Sequence, residues 1–337
     1  MNTSKAYSLI LIIICILVSA CKKDNPGNTT EDKNDLNWET MSPFPGYVRK
    51  NAAGFWIGDN FYTGFGLGYL DDTFSHMANL NDFYEYNSLT KIWTKKADFP
   101  GSGRYSVASF SIGNKGYIGF GMSLDGSNQT VYKDIWEYDP ATDTWSNEGT
   151  YDQIENGETI YSNSFEIKGK AYITLGYNLW VFDPSDKSLA KIGPVAEYMN
   201  LTTGFEINDK LYIGTGGTPN YSMTFYEFDP ETSLWTKKAD FPGQLRRFAS
   251  GFALKGKGYI LCGEGTKQIA PNSFKFVGLK DVWQYDPVSN VWTKFKDYPG
   301  LAYIGQVGSN SDTKGCVGTG EAGSPTVYYS REFWLVR

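Results

Sequence analysis

A chain of 337 residues with 41% apolar side chains is long enough to bury one large core or two of ordinary size. Aromatics reach 16%, with 37 glycines and 14 prolines, and Ala-, Leu- and Glu-rich amphipathic stretches are missing, which excludes a helical bundle and predicts an all-β chain of short strands and turns. The net charge of -6 contains no block of like sign, so nothing here draws a phosphate backbone and nucleic acid is excluded as a partner.

In chain order, Lys5 comes first, ahead of the apolar run Leu9 to Val18, "LILIIICILV". That run has ten residues, and a spanning helix needs about 20, so residues 1–20 are predicted to be a signal peptide. The run ends in "LVSAC", Leu17 to Cys21. This resembles the lipobox of bacterial lipoproteins, which implies cleavage before Cys21 and lipidation of its thiol. Acyl chains anchor at about 0.8 kcal/mol per buried methylene. "KKD", Lys22 to Asp24, resembles the export tag of Bacteroidetes lipoproteins. That implies an outer-membrane, surface-exposed protein that meets the membrane through its lipid alone. Residues 21–36, which include the polar "NPGNTTEDKND", read as a flexible tether, and residues 37–337 as the folded domain. Of the four cysteines, Cys15 falls in the signal core, and Cys262 and Cys316 lie in apolar strand-like runs. No disulfide framework is expected.

The folded part repeats itself. "WTKKADFPG" occurs at Trp93 to Gly101 and again at Trp235 to Gly243. Upstream of each Trp stands a strand and turn: "DFYEYNSLTKIW", "DIWEYDPATDTW", "NLWVFDPSDKSL", "TFYEFDPETSLW" and "DVWQYDPVSNVW". Their aromatics Tyr86, Tyr138, Phe182, Phe228 and Tyr285 are spaced by 52, 44, 46 and 57 residues, a period that means a solenoid or a propeller. Six Gly-marked strands open the units, ending at Gly66, Gly121, Gly176, Gly216, Gly263 and Gly320. Asp-Pro predicts a hairpin turn, and the Trp after it buries surface worth several kcal/mol against a neighbouring sheet. Leu189 stands in the Trp position of the third unit and predicts a weaker blade. "FPG" breaks the strand, and the chain crosses to the next unit.

These marks resemble the kelch repeat, over Trp38 to Arg337. The resemblance implies a six-bladed β-propeller. "WETMSPFPG" at the N-terminus has an outer strand without its hairpin, and "EFWLVR" at the C-terminus has a third strand with nothing after it. The N-terminal strand is therefore expected to complete the last blade.

Crossings and second-to-third-strand loops should share one face. The loops there are long in blade one ("LGYLDDTFSHMANL"), two ("MSLDGSNQTVY"), five ("EGTKQIAPNSFKFVGLK") and six ("EAGSPTVYYSR"), and almost nil in blade three. Long loops on a rigid scaffold are where binding surfaces sit. Arg49, Arg104 and Arg246 each stand three residues past a crossing glycine, Arg247 follows the last of them, and Tyr303 holds the place in blade six. Two roles stand open for these arginines: bonds between blades, or binding of an acidic ligand. Glu264 and Glu321, each directly after the glycine that ends a second strand, are further ligand-binding candidates, and the loop aromatics Tyr69, Phe74, Tyr132, Tyr221, Phe274 and Tyr328 can stack on sugar rings.

His76 is the single histidine. The copper chemistry of galactose oxidase, whose propeller shares this repeat, needs several and is absent. No zinc spacing or phosphate loop appears, so no metal and no cofactor are expected. The first expectation is a monomeric surface lipoprotein binding a glycan or protein partner, possibly acidic, through the loop face. The second is an enzyme: "FPGSGRYSVASF", "FPGQLRRFASGF" and Gly263-Glu264 resemble the kelch sialate mutarotases. That resemblance implies anomer exchange of N-acetylneuraminate, with Arg104 and Arg246 on the acid and Glu264 as acid-base carboxylate.

Overall fold

The computed structural model describes residues 36–337 apart from 72–73, 156–161, 218–220, 272, 302 and 323–327. The signal peptide, Cys21 and most of the tether lie outside the described residues.

The chain folds as an all-β, six-bladed kelch β-propeller, with six four-stranded antiparallel sheets. Blade one is Ala53–Ile57, Asn60–Gly64, Phe83–Asn87 and Ile92–Lys95. Blade two is Ala108–Ile112, Lys115–Gly119, Asp134–Asp139 and Thr144–Thr150. Blade three is Asn163–Ile167, Lys170–Leu175, Asn178–Asp183 and Ser188–Pro194. Blade four is Thr203–Ile207, Lys210–Gly214, Phe225–Asp229 and Leu234–Lys237. Blade five is Ser250–Leu254, Lys257–Leu261, Val282–Asp286 and Val291–Lys294. Blade six takes Val307–Asn310, Gly315–Gly318 and Phe333–Val336 from the C-terminal end and its outer strand, Trp38–Thr40, from the N-terminal end. Trp38 faces Val336 and Thr40 faces Trp334 across that last pair, which closes the ring as expected.

First strands touch their neighbours all the way round, blade six against blade one, and enclose a channel of about 650 Å³. Serines knit them together: Ser109 Oγ lies 3.1 Å from Gly54 N, and Ser164 Oγ lies 3.0 Å from Ser109 N. The hydrophobic cores fill the seams between blades, with clusters that mix residues of adjacent sheets.

The Asp-Pro turns form as predicted. Asp139, Asp183, Asp229 and Asp286 each accept the N–H two residues on, at 2.9 to 3.0 Å. The strand-four Trp also ties blades together. The indoles of Trp93, Trp145 and Trp292 donate to the carbonyls of Ser42, Ala97 and Ala239 in the preceding blade, at 2.9, 3.0 and 3.0 Å. Blade three solves the missing Trp differently. Leu189 is buried opposite Phe182, and the crossing from blade two reaches over instead, Tyr151 Oη donating to Lys187 O at 3.0 Å and Gln153 Nε2 to Leu189 O at 3.3 Å. Cys262 and Cys316 are buried in separate core clusters, and burial pushes the Cys316 thiol up.

Candidate functional site

Each long loop builds a small sheet above its blade, and the crossings pair with these loops on one face. Arg49–Lys50 pairs with Leu67–Tyr69, Tyr105 with Met122, Arg247 with Glu264, and Tyr303–Ile304 with Glu321–Ala322. This face is the mouth of the channel.

The crossing arginines do not open onto it. Arg49, Arg104 and Arg246 have relative exposures of 0%, 1% and 0%. Each guanidinium meets the Asp that precedes or opens its blade's third strand: Arg49 with Asp82, Arg104 with Asp134 and Arg246 with Asp281, all at 2.6 Å. Each also donates to the residue between the strand-two glycines or just before the last of them, Phe65 O at 3.0 Å, Phe120 O at 3.3 Å and Cys262 O at 2.9 Å. Those residues have φ of 62°, 61° and 59°, and this left-handed turn aims the carbonyl at the guanidinium. The arginine's own carbonyl takes a glycine N–H from the preceding blade, Gly320, Gly66 and Gly216 in turn. Rings of "FPG", Phe44, Phe99 and Phe241, lie under the guanidinia at 5.0, 4.9 and 4.8 Å, and Tyr132 caps Arg104 at 3.8 Å. The expectation that Arg49, Arg104 and Arg246 bind a ligand is corrected, as is a role for Arg104 and Arg246 on a substrate acid, because their donors are spent inside the wall. They rivet neighbouring blades.

Burial works to raise the carboxyls of Asp134 and Asp281, but hydrogen bonds and charge from Arg104 and Arg246, with the indoles of Trp136 and Trp283, hold both below the usual carboxylate range. A depressed folded value means stability that is present above the unfolded value of 3.8 and lost as pH falls through the folded one. Melting temperature is therefore expected to hold from pH 7 toward 5 and to drop below about 4; a melt no lower at pH 3 than at pH 6 refutes this.

What does reach the mouth is the residue after the rivet. Arg247 is paired through Nε with Glu264 Oε2 at 2.6 Å, with side chains 25% and 14% exposed. Aromatic rings surround it, Phe276 at 4.9 Å, Phe248 at 5.2 Å and Tyr221 at 5.8 Å from the guanidinium carbon. Burial pushes the Tyr221 phenol above its ordinary value against the charge of Arg247, so it stays an O–H group. Phe274, on the same ribbon as Phe276, is exposed. In blade one, Lys50 takes the equivalent place and pairs with Glu321 of blade six beneath Tyr329, whose ring meets Tyr69 at 5.0 Å and Phe74 at 6.3 Å. Tyr328 is exposed beside it, and the Tyr303 backbone pairs with Ala322. His76 lies on the blade-one loop against Asp71, 2.7 Å from its carboxylate. The mouth thus carries two cation-carboxylate pairs walled by aromatics, on blade five and on blades six and one. Lys50 and Tyr329 were not singled out from sequence, although "RK" after the first crossing parallels "RR" after the fifth.

This is a kelch-type propeller whose mouth carries charge pairs between aromatic walls. No protein-family profile matches the chain. An N-acetylneuraminate epimerase of Yersinia enterocolitica is 37% identical over 94 residues, 27% of this chain and 23% of that protein. One of Shigella flexneri is 26% identical over 206 residues, covering 59% and 54%, and one of Escherichia coli is 27% identical over 198 residues, covering 57% and 51%. The chain therefore spans about half or less of the curated relatives it matches. Among solved structures, one described as "Structure of YjhT" superposes with a TM-score of 0.70 at 17% identity, covering 86% of this chain and 95% of that one, which shows the shared fold. Relatives named as an enzyme overturn the expectation of a lipoprotein that only binds a partner.

Proposed function

We propose that the chain is an epimerase of the sialate mutarotase kind, exchanging the anomers of N-acetylneuraminate or a close 2-keto sugar acid. The observation that carries this reading is the Arg247–Glu264 pair at the mouth, half-buried between aromatic walls. The names of the relatives support it.

The chemistry asks for little. A base takes the proton of the anomeric hydroxyl, the C2–O6 bond breaks with its electrons going to O6, and O6 is protonated. The open-chain ketone turns about its C2–C3 bond and closes on the other face by the reverse steps. Glu264 is a carboxylate able to take and return that proton. The ion pair engages Nε of Arg247, so the terminal nitrogens are not spent on Glu264 and present a planar edge to the sugar carboxylate. Aromatic faces of Phe276 and Tyr221 stack on the apolar side of the ring. We further propose that the protein works outside the inner membrane as a monomer, anchored to the outer membrane through Cys21; the apolar run and "LVSAC" support that address.

Anomer exchange followed by NMR tests the reading. The protein is expected to speed equilibration of freshly dissolved N-acetylneuraminate, and Glu264→Gln to lose about a hundredfold or more of that rate. Exchange no faster than in buffer, or undiminished in Glu264→Gln, sinks it.

A further inference from the structure

Gln306 immediately precedes the first strand of blade six and lines the channel at its mouth. The same place holds Ala52, Val107, Ser162, Thr202 and Ala249 in the other blades, so blade six alone puts a carboxamide there. Neither Nε2 nor Oε1 of Gln306 has a hydrogen-bond partner among the described residues, and both atoms are shielded from solvent. A buried donor and acceptor left unmet on one side chain is costly, and such groups mark places where something else completes the bonding.

The position is central to the site. The Gln306 carbonyl lies 3.5 Å from Ser250 Oγ of blade five, and on the other side Asn51 N of blade one donates to Gly305 O at 2.8 Å. Ser250 stands three residues after Arg247, a backbone span of at most about 11 Å. Asn51 directly follows Lys50. Gln306 therefore sits between the crossing segments that carry Arg247 on one side and Lys50 on the other.

From this we infer that Gln306 is a specificity-determining residue that recognises a secondary amide, the acetamido group of an amino-sugar acid. A carboxamide offers one N–H and one C=O in a plane, and a secondary amide offers the matching C=O and N–H. In N-acetylneuraminate the carboxylate is on C2 and the acetamido group on C5, at opposite corners of the ring. Arg247 holds the first and Gln306 the second. A hydroxyl in place of the acetamido group leaves half of the carboxamide unanswered. The assignment deepens the epimerase reading and rests on it for the choice of sugar.

The test is direct binding to the full chain, read by saturation-transfer and titration NMR, with two probes: N-acetylneuraminate and the analogue carrying a hydroxyl at C5. The parent protein is expected to prefer the acetamido sugar by roughly tenfold or more. Gln306→Leu keeps the size and removes both polar atoms. It is expected to lose that preference by weakening the acetamido sugar alone, to bind the hydroxyl analogue as before and to melt no lower. Equal binding of the two sugars by the parent, no binding of either, or a preference unchanged in Gln306→Leu overturns the assignment; in the last case the amide is met by water only. Since turnover is not the readout, the two proposals fail separately. An acetamido preference without anomer exchange sinks the epimerase reading alone, and exchange without the preference sinks Gln306 alone.

Discussion

Replacing Arg246 by Gln is expected to lower stability by about 3 kcal/mol, because Asp281 would keep its charge in a largely buried place after its partner is gone. For a domain of this size that is a fall of roughly 5 °C in melting temperature. Gln also loses the bond to the Cys262 carbonyl, which the left-handed turn aims at the guanidinium. Arg104→Gln should cost a similar amount. The two rivets sit in different blades with no shared partner, so the double variant is expected to lose about 6 kcal/mol, the sum. Thermal denaturation of the three variants measures this. Unaltered melting together with lost binding of N-acetylneuraminate would mean that the arginines face a ligand after all.

Removal of residues through Gly46 is the second large effect. It strips the outer strand from blade six and bares the Phe333–Val336 edge, which has its pairing partner only in Trp38–Thr40 on that side. Trp38 packs edge-on to Tyr298 at 5.4 Å and Phe252 at 6.4 Å, contacts worth about 4 kcal/mol or more by burial alone. Phe44, the ring under Arg49, goes too, and with it the Ser42 carbonyl that the Trp93 indole uses. The whole ring is expected to melt well below the parent, in one broadened or aggregating transition. A sharp transition at the parent's temperature would mean that this strand adds nothing to closure.

Much of the site's logic was present in the letters, partly unread. Arg49, Arg104 and Arg246 stand in blades one, two and five, and the third strands of those same blades are preceded or opened by Asp82, Asp134 and Asp281, whereas blades three, four and six have Asn178, Thr224 and Glu332. An Arg and an Asp present or absent together point to an ion pair, which leaves the arginines no charge to offer a ligand. Their repulsion around one mouth, which made an acidic ligand attractive, is answered within each blade at 2.6 Å. Glu264 was legible for the opposite reason: it follows a strand-ending glycine, and a charged residue there has only the mouth to face.

The sequence by itself determined the class, the blade count and the closure, because each rests on local chemistry that repeats: alternating apolar strands, Asp-Pro turns whose carboxylates bond the next N–H groups, a Trp for each outer strand and "FPG" to end it. Only the tertiary structure decided which charges are spent and which are offered. Arg246 and Arg247 are neighbours in the chain, yet one is wholly buried against Asp281 and the other opens to the mouth with Glu264. Successive residues of an extended segment point to opposite sides, and which side is wall and which is channel is fixed by how six sheets close into a ring. The same holds for Gln306, an ordinary polar residue in the sequence, whose unmet amide exists only because the ring brings blades five and one to either side of it.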